Sequence, residues 1–332
     1  MTTNSNFSKT FFGKSIFSLD QFSREDIKNL FCVADKMKLI VQRNGVCNLL
    51  KRKVIAFLFF EPSSRTFSSF VVSAKRLGAK TLEYQDISKV SSVAKGETLE
   101  DTIEVFSQYT DAIVMRHHET GALSRVVNKF DIPIINAGDG SGEHPTQTFL
   151  DLYTLQNRFS SLDNIKGLIA GDLLNGRTVH SLLKGLSLFN NPNIYLLSPP
   201  DLKISRDLFN YIKNKGITLT EIESEKDIPK DIQFWYWTRV QKERFTDLDY
   251  YESIKNRYII TQDFLDKYAN KNMIIMHPLP RVGEIDPAID NDERTVYLRD
   301  RKGLSSQVKN GMFIRMALFY LIFADEKFDD IL

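Results

Sequence analysis

The apolar residues of this chain fall into short continuous runs that alternate with stretches of helical spacing. Residues 54–60 read Val-Ile-Ala-Phe-Leu-Phe-Phe, and the apolar positions that follow are Phe67, Phe70, Val71, Ala74 and Leu77. The first pattern predicts a strand buried on both faces, and the second a helix over 66–77. The alternation continues downstream. A helix over 99–109 precedes a strand over 111–115, and a strand over 132–136 precedes a helix over 145–156. A strand over 167–170 leads into a helix over 177–188, and 193–197, 233–237 and 272–276 read as further strands. This order implies an α/β protein with parallel sheets and helices on both faces. The polar stretch Arg158-Phe159-Ser160-Ser161-Leu162-Asp163-Asn164 reads as a connection, which divides the chain into two doubly wound halves near residue 155. A closing helix in 304–323, patterned by Met312, Arg315, Met316, Phe319 and Ile322, is expected to pack back on the first domain. The expected domains are therefore 1–155 with 304–332, and 156–303.

Composition narrows the chemistry. With 332 residues, 42% hydrophobic and 26% charged, the chain is long enough for two ordinary cores. Lys plus Arg at 44 against Asp plus Glu at 42 leaves a formal charge of +2, so there is no bulk attraction to nucleic acid or to a membrane. Any anion site must be local. Cys32 and Cys47 are too few for a disulfide framework and lack metal-ligand spacing. No signal-peptide core lies in residues 1–17 and no run reaches transmembrane length, so a cytoplasmic protein is expected.

Candidate chemistry clusters after the predicted strands. Glu61-Pro62-Ser63-Ser64-Arg65-Thr66 joins the first strand to its helix. The first N–H groups of a helix carry no internal partner and the positive end of its dipole, and here hydroxyls and a guanidinium are added to them. A small phosphorylated ligand fits that turn; so does an ordinary capped helix with a surface arginine. Arg116, Arg177 and Arg239 also follow predicted strands, and His144 follows one through a glycine-rich loop. In parallel sheets ligands sit beyond the carboxyl ends of the strands, so these arginines would line a cleft for a ligand with several negative groups.

The motifs carrying these residues resemble the transcarbamoylases. They are Phe60-Glu61-Pro62-Ser63-Ser64-Arg65-Thr66, Met115-Arg116-His117-His118, His144-Pro145-Thr146-Gln147, the run from Gly171 to Leu182, Thr238-Arg239-Val240-Gln241-Lys242-Glu243-Arg244, and His277-Pro278-Leu279-Pro280-Arg281. Their order matches over nearly the whole chain. The last two are similar to the aspartate-specific branch, whereas the ornithine branch would show a cysteine in the final motif. The resemblance implies transfer of the carbamoyl group of carbamoyl phosphate to the amine of L-aspartate, in pyrimidine synthesis, with no cofactor and no metal. It implies that Ser63, Ser64, Arg65, Thr66 and Arg116 hold the phosphate, and that Thr66, Arg116 and His144 face the carbonyl oxygen. Gln147 would bind the carbamoyl amine. Arg177, Thr178, Arg239 and Gln241 would hold the aspartate carboxylates, with the backbone around Leu279 and Pro280 near the amine. Ser91 and Lys95 would reach a neighbouring subunit's site, Lys95 contacting both substrates, so a homotrimer with shared active sites is implied. Regulatory chains or other pyrimidine enzymes are further candidate partners.

Some positions depart from the family pattern. Ser64 stands where threonine is usual, Ala94 replaces a lysine beside Lys95, and Phe67 and Val71 replace an arginine and a glutamate. An apolar contact is expected behind the phosphate turn in place of an ion pair. An inserted loop is expected within 297–306. His117 and His118 read as solvent-facing residues or backbone anchors, His180 as a packed or capping residue, and His277 as the residue shaping its proline loop. Two alternatives stay open: a transcarbamoylase for another amino-acid acceptor, and a weakly active carbamoyl-phosphate-binding scaffold subunit.

Overall fold

The apolar run after Lys53 forms a central strand because both of its faces are covered. In the computed structural model, which describes residues 10–87, 95–140, 142–240, 249, 251–252, 259–299 and 305–324, the chain divides into two units. One comprises Met1–Phe149 with Gly311–Leu332, and the other Leu150–Asn310.

The first unit holds a parallel sheet of β1 (Val54–Phe59), β2 (Lys80–Gln85), β3 (Ala112–His117) and β4 (Ile134–Asp139), in the order β2-β1-β3-β4. Alternate side chains of β1 point to opposite faces. Ala56 and Leu58 join Ile113 and Met115 in a cluster with Leu99 and Ile103 of α3 (Leu99–Ser107) and with Leu123 and Val126 of α4 (Ala122–Val126). On the other face Phe57 and Phe59 meet the ring of Phe67 at 6.3 and 5.1 Å, from α2 (Ser64–Arg76). Phe319 of the last helix, α9 (Gln307–Phe323), packs on the same face, 6.3 Å from Phe57 and 5.9 Å from Phe70. The closing helix thus packs back on the first sheet, as its pattern predicts. Phe67 packs against the rings of Phe57 and Phe59, and Val71, one turn further along the same helix, is buried, so both departures behind the phosphate turn are buried apolar positions and Phe67 makes the expected apolar contact. The long first helix, α1 (Arg24–Asn44), starts at a reciprocal capping box between Ser23 and Asp26.

The second unit holds β5 (Lys166–Ala170), β6 (Asn193–Leu197), β7 (Thr218–Ile222), β8 (Phe234–Trp237) and β9 (Ile274–Met276), all parallel, in the order β7-β6-β5-β8-β9. Leu168, Trp235, Trp237 and Ile275 form one face, with Leu265 and Phe264 of α8 (Gln262–Tyr268) against them. Each such aromatic side chain contributes about 1.5–3 kcal/mol by leaving water. Tyr236 points the other way, and its hydroxyl donates to Asp151 Oδ2 at 2.9 Å on α5 (Pro145–Phe159). Among the described residues this unit also holds the α-helices α6 (Arg177–Leu186) and α7 (Arg206–Asn214). Among the described residues no helix is long and apolar enough to cross a membrane.

The strand orders locate the chemistry. In the first sheet the chain leaves β1 toward β2 on one side and returns to β3 on the other; in the second, β6 and β8 flank β5 in the same way. Where the order reverses, the loops beyond the carboxyl ends diverge and open a crevice. The predicted arginines lie there: Arg65 follows β1, Arg116 lies in β3, Arg177 follows β5 and Arg239 follows β8.

Candidate functional site

In the first unit the turn after β1 is built to leave donors available. Ser63 caps α2 with extended backbone (φ −155°, ψ 95°), yet its hydroxyl makes no capping bond. The first-turn N–H groups therefore lack the side-chain acceptor that a serine usually supplies. Ser64 and Arg65 are exposed, and Ser63 and Thr66 half-buried.

Arg116 is held differently. It is only 6% exposed, its Nη1 donates to the Ala137 carbonyl at 3.2 Å, and its Nη2 lies 2.8 Å from Glu61 Oε2. Glu61 belongs to the turn after β1, and Ala137 to β4, so one guanidinium joins three segments at the carboxyl end of the sheet. Gly138, at φ 126°, makes room for it: a Cβ there would lie 2.6 Å from Nη1. His144 precedes α5 and is 4% exposed, its carbonyl accepting from the N–H groups of Gln147 and Thr148 at 3.0 and 3.3 Å. Gln147 is half-buried on the first turn of that helix. His117 is buried, and its Nδ1 accepts from the Glu119 N–H at 3.0 Å, a backbone anchor. Burial, with His118 stacked at 4.4 Å, holds its pKa below the ordinary histidine value. Lys95 is exposed. Ser91 lies outside the described residues.

The second unit carries its own set. Arg177 and Thr178 open α6 and are half-buried. The approach to them is fixed by Asp172, fully buried, whose carboxylate accepts from the Asn175 N–H at 2.9 Å and from its side-chain amide at 3.2 Å. Burial raises the Asp172 pKa, and those bonds offset part of the rise. Gly171, at φ 112°, lets β5 pass the Thr238 backbone and hydroxyl. Thr238 follows β8 with its hydroxyl donating to the Ala170 carbonyl at 3.1 Å, and half-buried Arg239 comes next. His180 packs through Nε2 on the Leu173 carbonyl at 2.9 Å, and burial lowers its pKa. Gln241 lies outside the described residues, as do residues 300–304 of the expected insertion.

After β9 the chain makes a tight loop around His277. The Leu279 N–H donates to Nδ1 at 2.8 Å, so the opposite nitrogen carries the hydrogen toward Glu284 Oε1, 2.7 Å away. The Val282 N–H donates to the other Glu284 oxygen at 2.7 Å. Burial works to raise the Glu284 pKa, but the His277 and Val282 bonds outweigh it and hold the carboxyl below its usual range. The loop presents Leu279 in the left-handed region (φ 54°), half-buried, and Pro280 exposed. Arg281 is engaged elsewhere, forked onto Asp290 with Tyr297 beside it.

The candidate donors after the strands, buried Arg116 and His144 among them, were legible in the sequence, and the side chains that support them were not. Glu61 and Asp172 lie inside quoted motifs and Glu284 three residues beyond one, but nothing in their spacing announces a partner. Asn136, discussed below, had the glycine-rich run after it as its only signal.

Comparison with known proteins follows the same division. The family model described as aspartate/ornithine carbamoyltransferase, carbamoyl-P binding domain, matches residues 14–157, and that described as the Asp/Orn binding domain matches 163–322. The chloroplastic aspartate carbamoyltransferase of Arabidopsis thaliana is 44% identical over 91% of this chain and 76% of its own length. The multifunctional protein pyr1-3 of Dictyostelium discoideum is 42% identical over 94% of this chain, which spans only 14% of that protein. The Trypanosoma cruzi aspartate transcarbamoylase, solved in complex with carbamoyl phosphate and aspartate, superposes with a TM-score of 0.86 at 37% identity, covering 96% of this chain and 99% of the other.

Proposed function

This chain belongs to the aspartate/ornithine carbamoyltransferase family, and from its residues we infer that it transfers the carbamoyl group of carbamoyl phosphate to the amine of L-aspartate, giving N-carbamoyl-L-aspartate and phosphate. The reaction is a step of pyrimidine synthesis. The observation that carries the choice of acceptor is the second unit's pair of guanidinium groups, Arg177 and Arg239, each following a strand at the switch point. Aspartate has two carboxylates, and each guanidinium can grip one with paired bonds.

In the first unit, Ser63, Ser64, Arg65, Thr66 and Arg116 bind the phosphate, Gln147 the carbamoyl amine, and Thr66, Arg116 and His144 the carbonyl oxygen. Arg177, Thr178, Arg239 and Gln241 bind aspartate, with the backbone of Leu279 and Pro280 at the amine. The neutral amine nitrogen attacks the carbonyl carbon, charge builds on oxygen, and the bond to the phosphate oxygen breaks. The attacking nitrogen loses a proton, which the departing phosphate accepts. No side chain forms a covalent bond, so the rate comes from alignment and from donors aimed at developing charge.

Ser91 and Lys95 serve a neighbouring subunit's site in a cytoplasmic homotrimer, to which regulatory chains or other pyrimidine enzymes attach. Support for the shared site is Lys95 itself, exposed and with no role in its own fold among the contacts described. Mixing the inactive Lys95→Ala and Arg65→Ala variants should then restore about a quarter of the wild-type rate through random hybrids; no recovery in assembled mixtures places the site within one chain.

Turnover tests the whole reading. Purified protein with carbamoyl phosphate should yield N-carbamoyl-L-aspartate from aspartate and little product from ornithine or other amino acids. Absence of product, or equal use of ornithine, would overturn it.

A further inference from the structure

Strand β4 does not stop at Asn136. Met115 pairs with Asn136 and His117 with Asp139, so three steps along β4 match two along β3 and one extra residue is accommodated at Ala137 and Gly138. A bulge of this kind leaves a backbone group outside the ladder and re-aims its neighbours. Here the re-aimed group is the Ala137 carbonyl, which accepts from Arg116 Nη1.

The Asn136 side chain, 1% exposed, holds that bulge at three points. Its Oδ1 accepts from the Gly138 N–H at 2.7 Å, and its Nδ2 donates to the Phe17 carbonyl at 3.0 Å and to the Glu143 carbonyl at 3.3 Å. Only an amide offers an acceptor and two donors on one short stem. Glu143 immediately precedes His144, and its carboxylate in turn accepts from the Leu19 N–H at 2.8 Å. One buried side chain therefore sets both the carbonyl against Arg116 and the backbone that delivers His144.

We propose that Asn136 is a positioning residue for the reaction, acting through the bulge to orient Arg116 and His144 together toward the carbamoyl phosphate. This rests on the function inferred above. The asparagine touches neither substrate, so its effect is confined to the phosphate and carbonyl steps.

The test compares Asn136→Ser with Asn310→Ser, a control at another fully buried amide, which donates to Thr154 Oγ1 at 2.9 Å in the second unit. Inorganic phosphate binding is measured by calorimetry, with steady-state kinetics and thermal denaturation alongside. Asn136→Ser should lower kcat/KM for carbamoyl phosphate about 10²-fold and weaken phosphate binding about tenfold, as displacement of donors by a fraction of an ångström does. The aspartate KM should stay within about threefold, and Asn310→Ser should leave phosphate binding unchanged at a similar loss of Tm. Equal phosphate affinities in the two variants, with phosphate bound normally by the wild type, overturn the inference alone. A wild-type protein that binds no phosphate overturns the functional reading and this one with it. If Asn136→Ser does not fold, Asn136→Asp replaces it: protonation restores one donor, so its phosphate affinity relative to wild type should rise as pH falls, and a flat ratio overturns the proposal.

Discussion

The two units solve the same problem, holding donors at the end of a parallel sheet, with opposite economies of burial. In the first, the guanidinium of Arg116 is itself buried, tied to Glu61 and to the Ala137 carbonyl. In the second, Arg177 and Arg239 stay half-exposed, and the buried polar groups are Asp172, before the turn into α6, and His277 with Glu284 in the loop after β9. A buried cation is costly to desolvate, and folding has already met that cost before any ligand arrives. A ligand therefore meets a largely desolvated donor at Arg116, whereas Arg177 and Arg239 still face water that a ligand must displace. The difference suits the proposed chemistry: charge develops on the carbamoyl oxygen and phosphate, where preorganisation lowers the barrier, while aspartate carboxylates keep their charge throughout and need only be held.

Substituting one arginine from each unit should separate these roles most sharply. In the proposed reaction Arg116→Ala removes a donor to the developing charge and takes this guanidinium from Glu61, so kcat should fall about 10²–10³-fold. Arg239→Ala removes a grip on a carboxylate whose charge is unchanged in the transition state, so the aspartate KM should rise while phosphate binding persists. Steady-state kinetics with each substrate varied in turn reads both. If Arg239→Ala depressed kcat as much as Arg116→Ala at saturating aspartate, the contrast between the buried and the half-exposed donors would be wrong.

The same contrast explains what the sequence disclosed. Buried central strands were legible because β1, β3 and β8 are continuous apolar runs, which is what burial on both faces demands. Two of the edge strands, β2 and β7, were not. β2 reads Lys-Thr-Leu-Glu-Tyr-Gln and is half-exposed, and β7 reads Thr-Leu-Thr-Glu-Ile, so neither shows the run that marks a central strand. The predicted strand ending at 136 in fact reaches Asp139, because Gly138 at positive φ keeps the chain paired through a bulge that reads as a loop in sequence. Likewise the division into units falls within α5 and α9, helices whose patterns say nothing about which sheet each turn serves. Site donors were legible as arginines and hydroxyls after strands. Their supports were not, since Glu61 with Arg116, or Asn136 with Phe17, are pairings across the fold that local pattern does not encode.

A smaller effect is expected from the buried support of the second unit. Glu284→Ala leaves His277 Nε2 facing an empty position, which should cost about 1–3 kcal/mol, and Glu284→Gln, which keeps an acceptor, should recover most of it. Because the Glu284 pKa is lowered on folding, its stabilisation is complete above the unfolded carboxyl value near 4.5 and is lost as pH falls through the folded one. Chemical denaturation across acid pH should show that component in the wild type and not in Glu284→Gln. Equal stability of the Ala and Gln variants would mean that the carboxylate holds nothing in the loop.

The smallest effect distinguishes the units by their histidines. His117 in the first and His180 in the second both have pKa values lowered from 6.5, chiefly by burial. Between the folded value and 6.5 the unfolded chain binds more protons, so each histidine makes stability rise with pH in that window and level off above it. Beside burial, His117 is lowered by the neighbouring imidazole of His118, stacked at a ring separation of 4.4 Å, whereas the added repulsion at His180 comes from Lys184. Replacing His118 by Asn should therefore raise the His117 pKa and flatten the pH dependence of the first unit alone. NMR titration of the histidine ring signals reads this directly, with His180 as the internal reference. An unmoved His117 titration would leave burial and the Arg125 charge as the causes of its lowering and remove one of the electrostatic differences between the two units.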